Sequence, residues 1–144
     1  MTTMTKEETL NAALFATLRA LTGLSICERN RDVPVDAYPA VVYRDGEAVP
    51  DYNQEVATIW FTSEPVIELF VEADEPGELP AKMDALYQKV VAAALTDHTV
   101  GGVAEDLMEV GNEPVLLDAE GAKPTLGRAV RLHARWTTGI ATRT

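Results

Sequence analysis

The sequence predicts an α+β protein: an antiparallel or mixed β-sheet with two α-helices packed on one of its faces. Two observations lead to this fold class. Apolar residues recur at helical spacing in 6–22 and 80–95, and they alternate with polar residues elsewhere, most regularly in 129–136. The order of elements is helix, strands, helix, strands. A length of 144 residues indicates one domain, 1–144.

The first helix is predicted over about residues 6–22. Thr5 is the expected N-cap, and Glu8 three residues later completes a capping box. Gly23 is expected to end the helix in the left-handed conformation. The apolar stripe of this helix is Leu10, Leu14, Leu18 and Leu21.

The next segments are predicted to be short strands separated by polar turns. Residues 25–30 and 39–43 are strands, the second begun by a proline that fits a strand start or a sheet edge. Residues 47–54 are expected to form an exposed loop. Residues 56–62 and 64–73 are rich in β-forming residues and predict either two strands or one strand broken at Pro65.

Alternation within 64–73 assigns its side chains to two faces of the sheet. The opposite face to the core carries Glu68 and Glu72 with Phe70 between them, and we expect it to be solvent-exposed. The core set is Ile67, Leu69 and Val71.

The second half of the chain contains a helix and at least two strands. Pro80 is expected at the start of the helix, a position that suits proline. A strand is predicted at 103–110, then a turn at 111–114, and a short strand or hydrophobic lip at 115–117. The buried stripe of the helix is Met83, Leu86, Tyr87, Val90 and Ala94.

The last strand, 129–136, has the clearest alternation in the sequence. Its apolar set is expected to be buried and its basic set to face outwards, and residues 138–144 are expected to form a loose polar tail. The apolar set is Val130, Leu132, Ala134 and Trp136, and the polar set is Arg131, His133, Arg135 and Thr137.

Charge is distributed unevenly along the chain, whose net charge is −11. Residues 1–44 are neutral overall, residues 45–120 carry 18 acidic side chains against Lys82 and Lys89, and residues 121–144 carry five basic side chains and no acid. Such a chain repels nucleic acid as a whole. The acid either keeps the protein soluble or lets an acidic surface of one copy meet the basic last strand of another.

The sequence offers little chemistry and predicts no enzyme, metal site or cofactor. His98 and His133 fit no zinc-ligand spacing, and the glycines form no phosphate loop. Glu68 and Glu72, four residues apart on a strand, lie about 13 Å apart, too far for a glycosidase pair. Cys27, the single cysteine, is expected to be a half-buried apolar residue, although Arg29 on the same strand face would lower its pKa.

Neither a membrane span nor an export signal is predicted. The longest apolar runs are far shorter than the roughly 20 residues that a span needs. The N-terminus lacks a basic stretch followed by a hydrophobic core, so we expect the protein to stay in a reducing compartment.

Four features together resemble the tail terminator (tail-completion) proteins of long-tailed bacteriophages and phage-like gene transfer agents. They are the N-terminal Leu/Ala helix with a strand shortly after it, the strand at 39–43, the passage from 67–73 through a polar break into the Ala-rich helix at 80–95, and the terminal strand at 129–136. The resemblance covers most of the chain as a pattern of elements and lengths. Residues 47–54 and 112–125 match it least.

The resemblance implies a homohexameric ring that caps the phage tail tube, terminates tail polymerisation and presents an attachment surface to the head-side connector or stopper. The protein would then be a virion component at the head–tail junction, assembled in the host cytoplasm. Double-stranded DNA would cross its channel without specific binding. In such a ring, Arg128, Arg131 and Arg135 are candidate subunit-interface residues, and Glu68 and Glu72 are candidate channel-wall residues.

Other functions remain open at this point. Another head–tail connector, neck or tail-tube protein of the same assembly has a similar size, but two well-formed helices favour the terminator. A small cytoplasmic adaptor domain that binds a basic partner through residues 45–120 is a further alternative. An enzyme would need a pocket with a strongly perturbed ionisable group.

Overall fold

The structure is a computed structural model that describes residues 4–51, 58–115 and 123–139. Among these residues no helix is both long and apolar enough to cross a membrane. In chain order the elements are α1 (Lys6–Arg19), β1 (Ile26–Arg29), β2 (Ala40–Arg44), β3 (Val49–Asp51), β4 (Thr58–Ser63), β5 (Val66–Glu72), a 3₁₀ turn (Pro76–Glu78), α2 (Leu79–Leu95), β6 (Asp106–Val115) and β7 (Thr125–Gly139).

One mixed sheet of seven strands is organised along β7. The 15-residue strand β7 pairs with β5 and then β4 along one edge and with β6 along the other, always antiparallel. β2 continues the sheet beyond β5, and β3 continues it beyond β4. β1 joins β2 in parallel, the one parallel pair among the described strands. The predicted α+β class with a mixed sheet is therefore confirmed.

Strands β4 and β5 form one line that is interrupted at Pro65. Ser63 pairs with Ala134 and Val66 pairs with Arg131, so the register against β7 is the same on both sides of the interruption. Proline has no N–H to donate, but its carbonyl accepts a β7 amide at 2.9 Å. Of the two predicted alternatives, the structure contains two strands that share a single register.

Gly46 lies against this interruption, between β2 and β3. A Cβ atom at Gly46 would overlap Ser63 Oγ and lie 2.6 Å from the carbonyl carbon of Glu64 and 2.7 Å from the nitrogen of Pro65. The last two are main-chain atoms of the short link between β4 and β5, which the pairing of both strands with β7 holds in place. The close approach of the two chain segments therefore requires glycine at this position.

The main core lies on one face of the sheet and includes residues from both helices. Odd-numbered side chains of β2 and β5 and even-numbered side chains of β7 form its floor, as alternation along the last strand predicts. Phe61 and Trp136 stack within it with ring centroids 5.9 Å apart. The helical contribution consists of Leu10, Leu14 and Leu18 from α1 and Leu79, Met83, Leu86, Val90 and Ala94 from α2.

Helix α1 starts as predicted but ends earlier. The Thr5 hydroxyl accepts the Glu8 amide at 3.1 Å, whereas the Glu8 carboxylate binds Arg29 rather than closing the predicted capping box. The helix ends at Arg19, so the predicted boundary near residue 22 is wrong. Gly23 has a φ of +84°, the left-handed conformation expected of it, but it lies in the turn beyond the helix.

Arg29 of β1 connects helix α1 to the sheet through ion pairs. Its guanidinium binds Glu8 of α1 at 2.6 Å and Asp45, which follows β2, at 2.7 Å. The hydrogen bonds from Arg29 lower the pKa of Glu8, and the two carboxylates raise the pKa of Arg29. Close by in the core, Tyr43 donates a 2.5 Å hydrogen bond to Asn11, which satisfies two polar groups that are otherwise buried.

Several predicted boundaries are wrong where pairing with a distant strand decides the structure. Val49–Asp51 is not loop but an edge strand, where Pro50 needs no ladder partner. The predicted turn at 111–114 is instead part of β6. A register shift between Glu109 and Gly111 leaves one residue of β6 unpaired and lets the pairing with β7 continue, and an edge strand tolerates Pro114. Thr138 is buried inside β7 rather than starting a loose tail. Residues 52–57, 116–122 and 140–144 lie outside the described part.

The second face of the sheet is not fully solvated, which corrects another expectation. Ala40, Val42 and Phe70 form a small buried cluster there, with Val115 packed against it. Phe70 fits because Gly127, its partner on β7, has no side chain, and a Cβ there would lie 3.2 Å from the ring. The face that was predicted to be solvent-exposed therefore carries an apolar patch beside its charged side chains.

We expect Gly46→Ala to destabilise the fold by about 1–3 kcal/mol, because the added methyl group must displace main-chain atoms. Urea unfolding monitored by circular dichroism measures the decrease in the free energy of unfolding. Gly77→Ala is the matched control, since nothing lies within 4 Å of a Cβ built there. Equal unfolding midpoints for the two variants would contradict the close packing described for Gly46.

We expect Glu8→Gln to lower the unfolding temperature near pH 7. The pKa of Glu8 is held below its ordinary value of 4.5 by Arg29, so the stabilisation is present above that value and is lost as pH falls through the lowered pKa. The difference in unfolding temperature between variant and wild type should therefore shrink as the pH falls below 4.5. Glu105→Gln, at an exposed carboxylate, serves as control, and a gap independent of pH would refute the ion pair's role.

Candidate functional site

The sheet face opposite the helices is the first candidate interaction surface, and we call it the outer face. It consists of the even-numbered side chains of β2, β4 and β5 and the odd-numbered side chains of β7, because paired residues project to the same side. Glu68 pairs with Ala129 and Arg131 pairs with Val66, so both charged residues belong to it.

The structure places four of the five predicted site residues on this outer face. Glu68 and Glu72 lie on β5, and Arg131 and Arg135 lie on β7. Arg128 lies on the opposite face, since it is an even-numbered residue of β7. The predicted basic strand is thus divided between two surfaces, and the roles proposed for these residues remain predictions.

Most charges on the outer face are already paired within the chain. Arg44 donates to Glu68 at 2.7 Å, and the Glu68 side chain is 19% exposed. Arg131 binds Glu113 of β6 at 3.3 Å. The guanidinium carbon of Arg135 lies 3.7 Å from the centre of the Trp60 ring, a cation–π contact. Glu68 and Arg131 are therefore paired with charges of the chain itself, whereas Arg135 keeps its positive charge over the Trp60 ring.

Arg128 belongs to a polar cluster on the helix side of the sheet. It donates to Asn112 at 2.5 Å, and Asn112 in turn donates to Glu109 at 3.1 Å. The Tyr87 hydroxyl of α2 donates to Glu109 at 2.6 Å, and that hydrogen bond raises the pKa of Tyr87. Since α2, β6 and β7 each supply a member, no local sequence pattern could have predicted this cluster.

A second candidate surface is a cavity of about 480 Å³ between α2, the end of β5 and the chain before β2. Lys82, Lys89 and Lys123 line it, and we call it the lysine cavity. Its apolar lining is Pro39, Val71, Ala73, Ala85 and Leu86, and Tyr38, Glu72 and Asp74 complete it. The seven-residue spacing of Lys82 and Lys89 places both on one side of α2, which is the only signal of the cavity in the sequence.

His98 and His133 each lie 3.9 Å from one carboxylate, that of Asp106 and that of Glu64. No three His, Cys, Asp or Glu side chains in these ranges are grouped so as to hold a metal ion. Burial raises the pKa of Cys27, so the suggestion that Arg29 lowers it is wrong. The physical reason is that the Arg29 guanidinium is directed to Glu8 and Asp45.

The described geometry is that of a small α+β protein with a mixed seven-stranded sheet, one face of which packs against residues of both helices while the other carries the small buried cluster around Phe70. One solved chain with a similar fold belongs to the structure described as "Virion of native gene transfer agent (GTA) particle". The two chains are 14% identical with a TM-score of 0.51, and the match covers 90% of this chain and 95% of the other. At this identity the match shows a common fold.

Comparison with known sequences adds nothing to the structural match. No protein-family profile matches the chain. No curated protein matches it either.

A double-mutant cycle on Arg44 and Glu68 measures how far the Glu68 charge is neutralised inside the chain. We expect a coupling free energy of about 0.5–1 kcal/mol that shrinks in high salt, because the pair is partly exposed. The pair Lys123–Asp74 is the matched control; its side chains are 54% and 81% exposed, so we expect no measurable coupling. Zero coupling at Arg44–Glu68 would show that Glu68 keeps its charge free for a partner.

Proposed function

We propose that this chain is a structural subunit of a phage or gene transfer agent virion, and more specifically a tail terminator. The observation that carries the proposal is the fold likeness to a chain of a gene transfer agent virion, which spans nearly the whole of both chains. The coverage of both chains matters, because a match to only one part of a larger protein would be weaker support for a similar role. Two helices of 14 and 17 residues add support, since stoppers and tube proteins are richer in strands.

The proposed role is a homohexameric ring at the head–tail junction. The ring caps the tail tube, stops its polymerisation and offers a surface to the head-side connector or stopper, while DNA crosses its channel. A closed ring needs contacts between two different surfaces of each subunit. The outer face and the lysine cavity are two surfaces of unlike chemistry, which suits head-to-tail contact. No catalytic activity and no cofactor are part of the proposal.

Of the two proposed channel-wall residues, Glu72 lies far from the interface candidate Arg135, whereas Glu68 lies close to Arg131. The third interface candidate, Arg128, is on the other face of the sheet. Glu72 pairs with Thr125 at one end of β7, whereas Arg135 lies ten residues further along the strand, roughly 33 Å away by strand rise. An acidic wall at Glu68 and Glu72 would repel DNA phosphates and let DNA slide, although Lys82, Lys89 and Lys123 line the cavity that Glu72 also borders. Arg135 keeps its charge for a neighbouring subunit, and Arg131 would exchange its exposed pair with Glu113 for one across the interface.

Native mass spectrometry across concentration tests ring formation directly. We expect a species of six 15.6 kDa copies, about 94 kDa, with a central hole in negative-stain images of the same sample. A monomer throughout the concentration range would contradict the proposed ring.

We expect the double variant Arg131→Glu/Arg135→Glu to abolish the ring while leaving the monomer folded. Each substitution reverses a charge on the outer face, and like charges across an interface prevent association. Arg19→Glu is the control for a charge reversal away from β7, since Arg19 is exposed at the end of α1. Circular dichroism verifies folding, and a normal ring from the β7 variant would refute the interface assignment.

A further inference from the structure

Three of the four lysines in this chain line the lysine cavity, although the chain is strongly acidic. Lys82 and Lys89 come from α2, and Lys123 comes from the segment before β7. The fourth, Lys6, lies elsewhere and donates to a carbonyl of β7. Glu72 and Asp74 line the same cavity, and Asp74 binds Lys123 at 3.2 Å, so three lysines against two carboxylates leave it a net charge of +1 in a chain whose net charge is −11.

The charges of Lys82 and Lys89 are not neutralised by carboxylates of the described residues. Lys82 donates to the main-chain carbonyl of Glu72 at 3.2 Å, and Lys89 donates to the main-chain carbonyl of Thr22. An ammonium group has three donors, so each keeps donors for another acceptor. Lys123, by contrast, binds Asp74 at 3.2 Å. Four arginines also form ion pairs with carboxylates: Arg29, Arg31, Arg44 and Arg131.

The cavity also fits the carbon chain of an acidic side chain. Apolar residues line part of it, among them Val71, Ala73 and Leu86. Burial raises the pKa of Tyr38, so its hydroxyl keeps its proton and stays a donor. A volume of about 480 Å³ lies in the range of small-ligand sites and accepts a few side chains rather than a folded surface.

We propose that the lysine cavity receives carboxylate side chains of a neighbouring copy of this chain. This inference rests on the proposed ring. In a ring every subunit of charge −11 faces an equally acidic neighbour, so association needs places where opposite charges meet. Lys82 and Lys89 offer such a place, because in the described part of the chain they bond to main-chain carbonyls and not to the carboxylates of Glu72 and Asp74 that also line the cavity. A neighbour's Glu or Asp residues supply the acceptors.

Zero-length carbodiimide cross-linking tests the contact, since it joins ammonium groups to carboxylates in direct contact. Assemblies made from mixed ¹⁴N- and ¹⁵N-labelled protein distinguish links between copies from links within one copy. We expect inter-copy links from Lys82 or Lys89 at least about tenfold more often than from Lys6, the internal reference lysine. Rings in which these lysines link only to their own chain would overturn the inference and leave the ring intact.

The double variant Lys82→Gln/Lys89→Gln gives an independent measurement. We expect it to raise the protein concentration at which half the subunits are assembled by at least about tenfold, and added salt to produce the same shift in wild type. Lys6→Gln should have no such effect. Unchanged assembly of the double variant refutes the contact. A wild-type protein that stays monomeric at every concentration refutes both the ring and the contact, so the two failures are distinguishable.

Discussion

The pairing of β7 along both of its edges is the constraint on which the rest of the structure depends. One strand of 15 residues is bonded to β5 and β4 on one side and to β6 on the other. A shift of one residue would turn every side chain of a strand to the wrong face. The unbroken register across Pro65 therefore fixes which residues enter the core and which stay outside.

This register gives the two faces of the sheet different chemistry. One face carries continuous apolar rows that need the helices α1 and α2 to cover them, and Arg29 holds α1 in place through Glu8 and Asp45. The other face carries the ion pairs of Glu68 and Arg131 and a small apolar patch around Phe70. The proposed contacts between subunits use this face and the lysine cavity.

The sequence predicts those elements whose determinants are local. Three such features are the apolar stripe of α1, the proline at the start of α2 and the alternation in β7. Each is a pattern within a single helix or strand, and the structure contains all three elements. Elements that depend on a distant partner were missed: Val49–Asp51 is strand only because β4 lies beside it, and Pro114 stays in β6 because β7 pairs with it. Both candidate surfaces likewise join residues far apart in sequence, so alternation could place Glu68 and Arg131 on faces but could not reveal the lysine cavity.

A ring-forming virion subunit is the central claim, and a cryo-electron microscopy reconstruction of the purified assembly tests it most directly. The account predicts a closed ring of six copies around a channel wide enough for duplex DNA, with β7 of each subunit near a neighbour. An open filament, or a compact dimer without a channel, would contradict it.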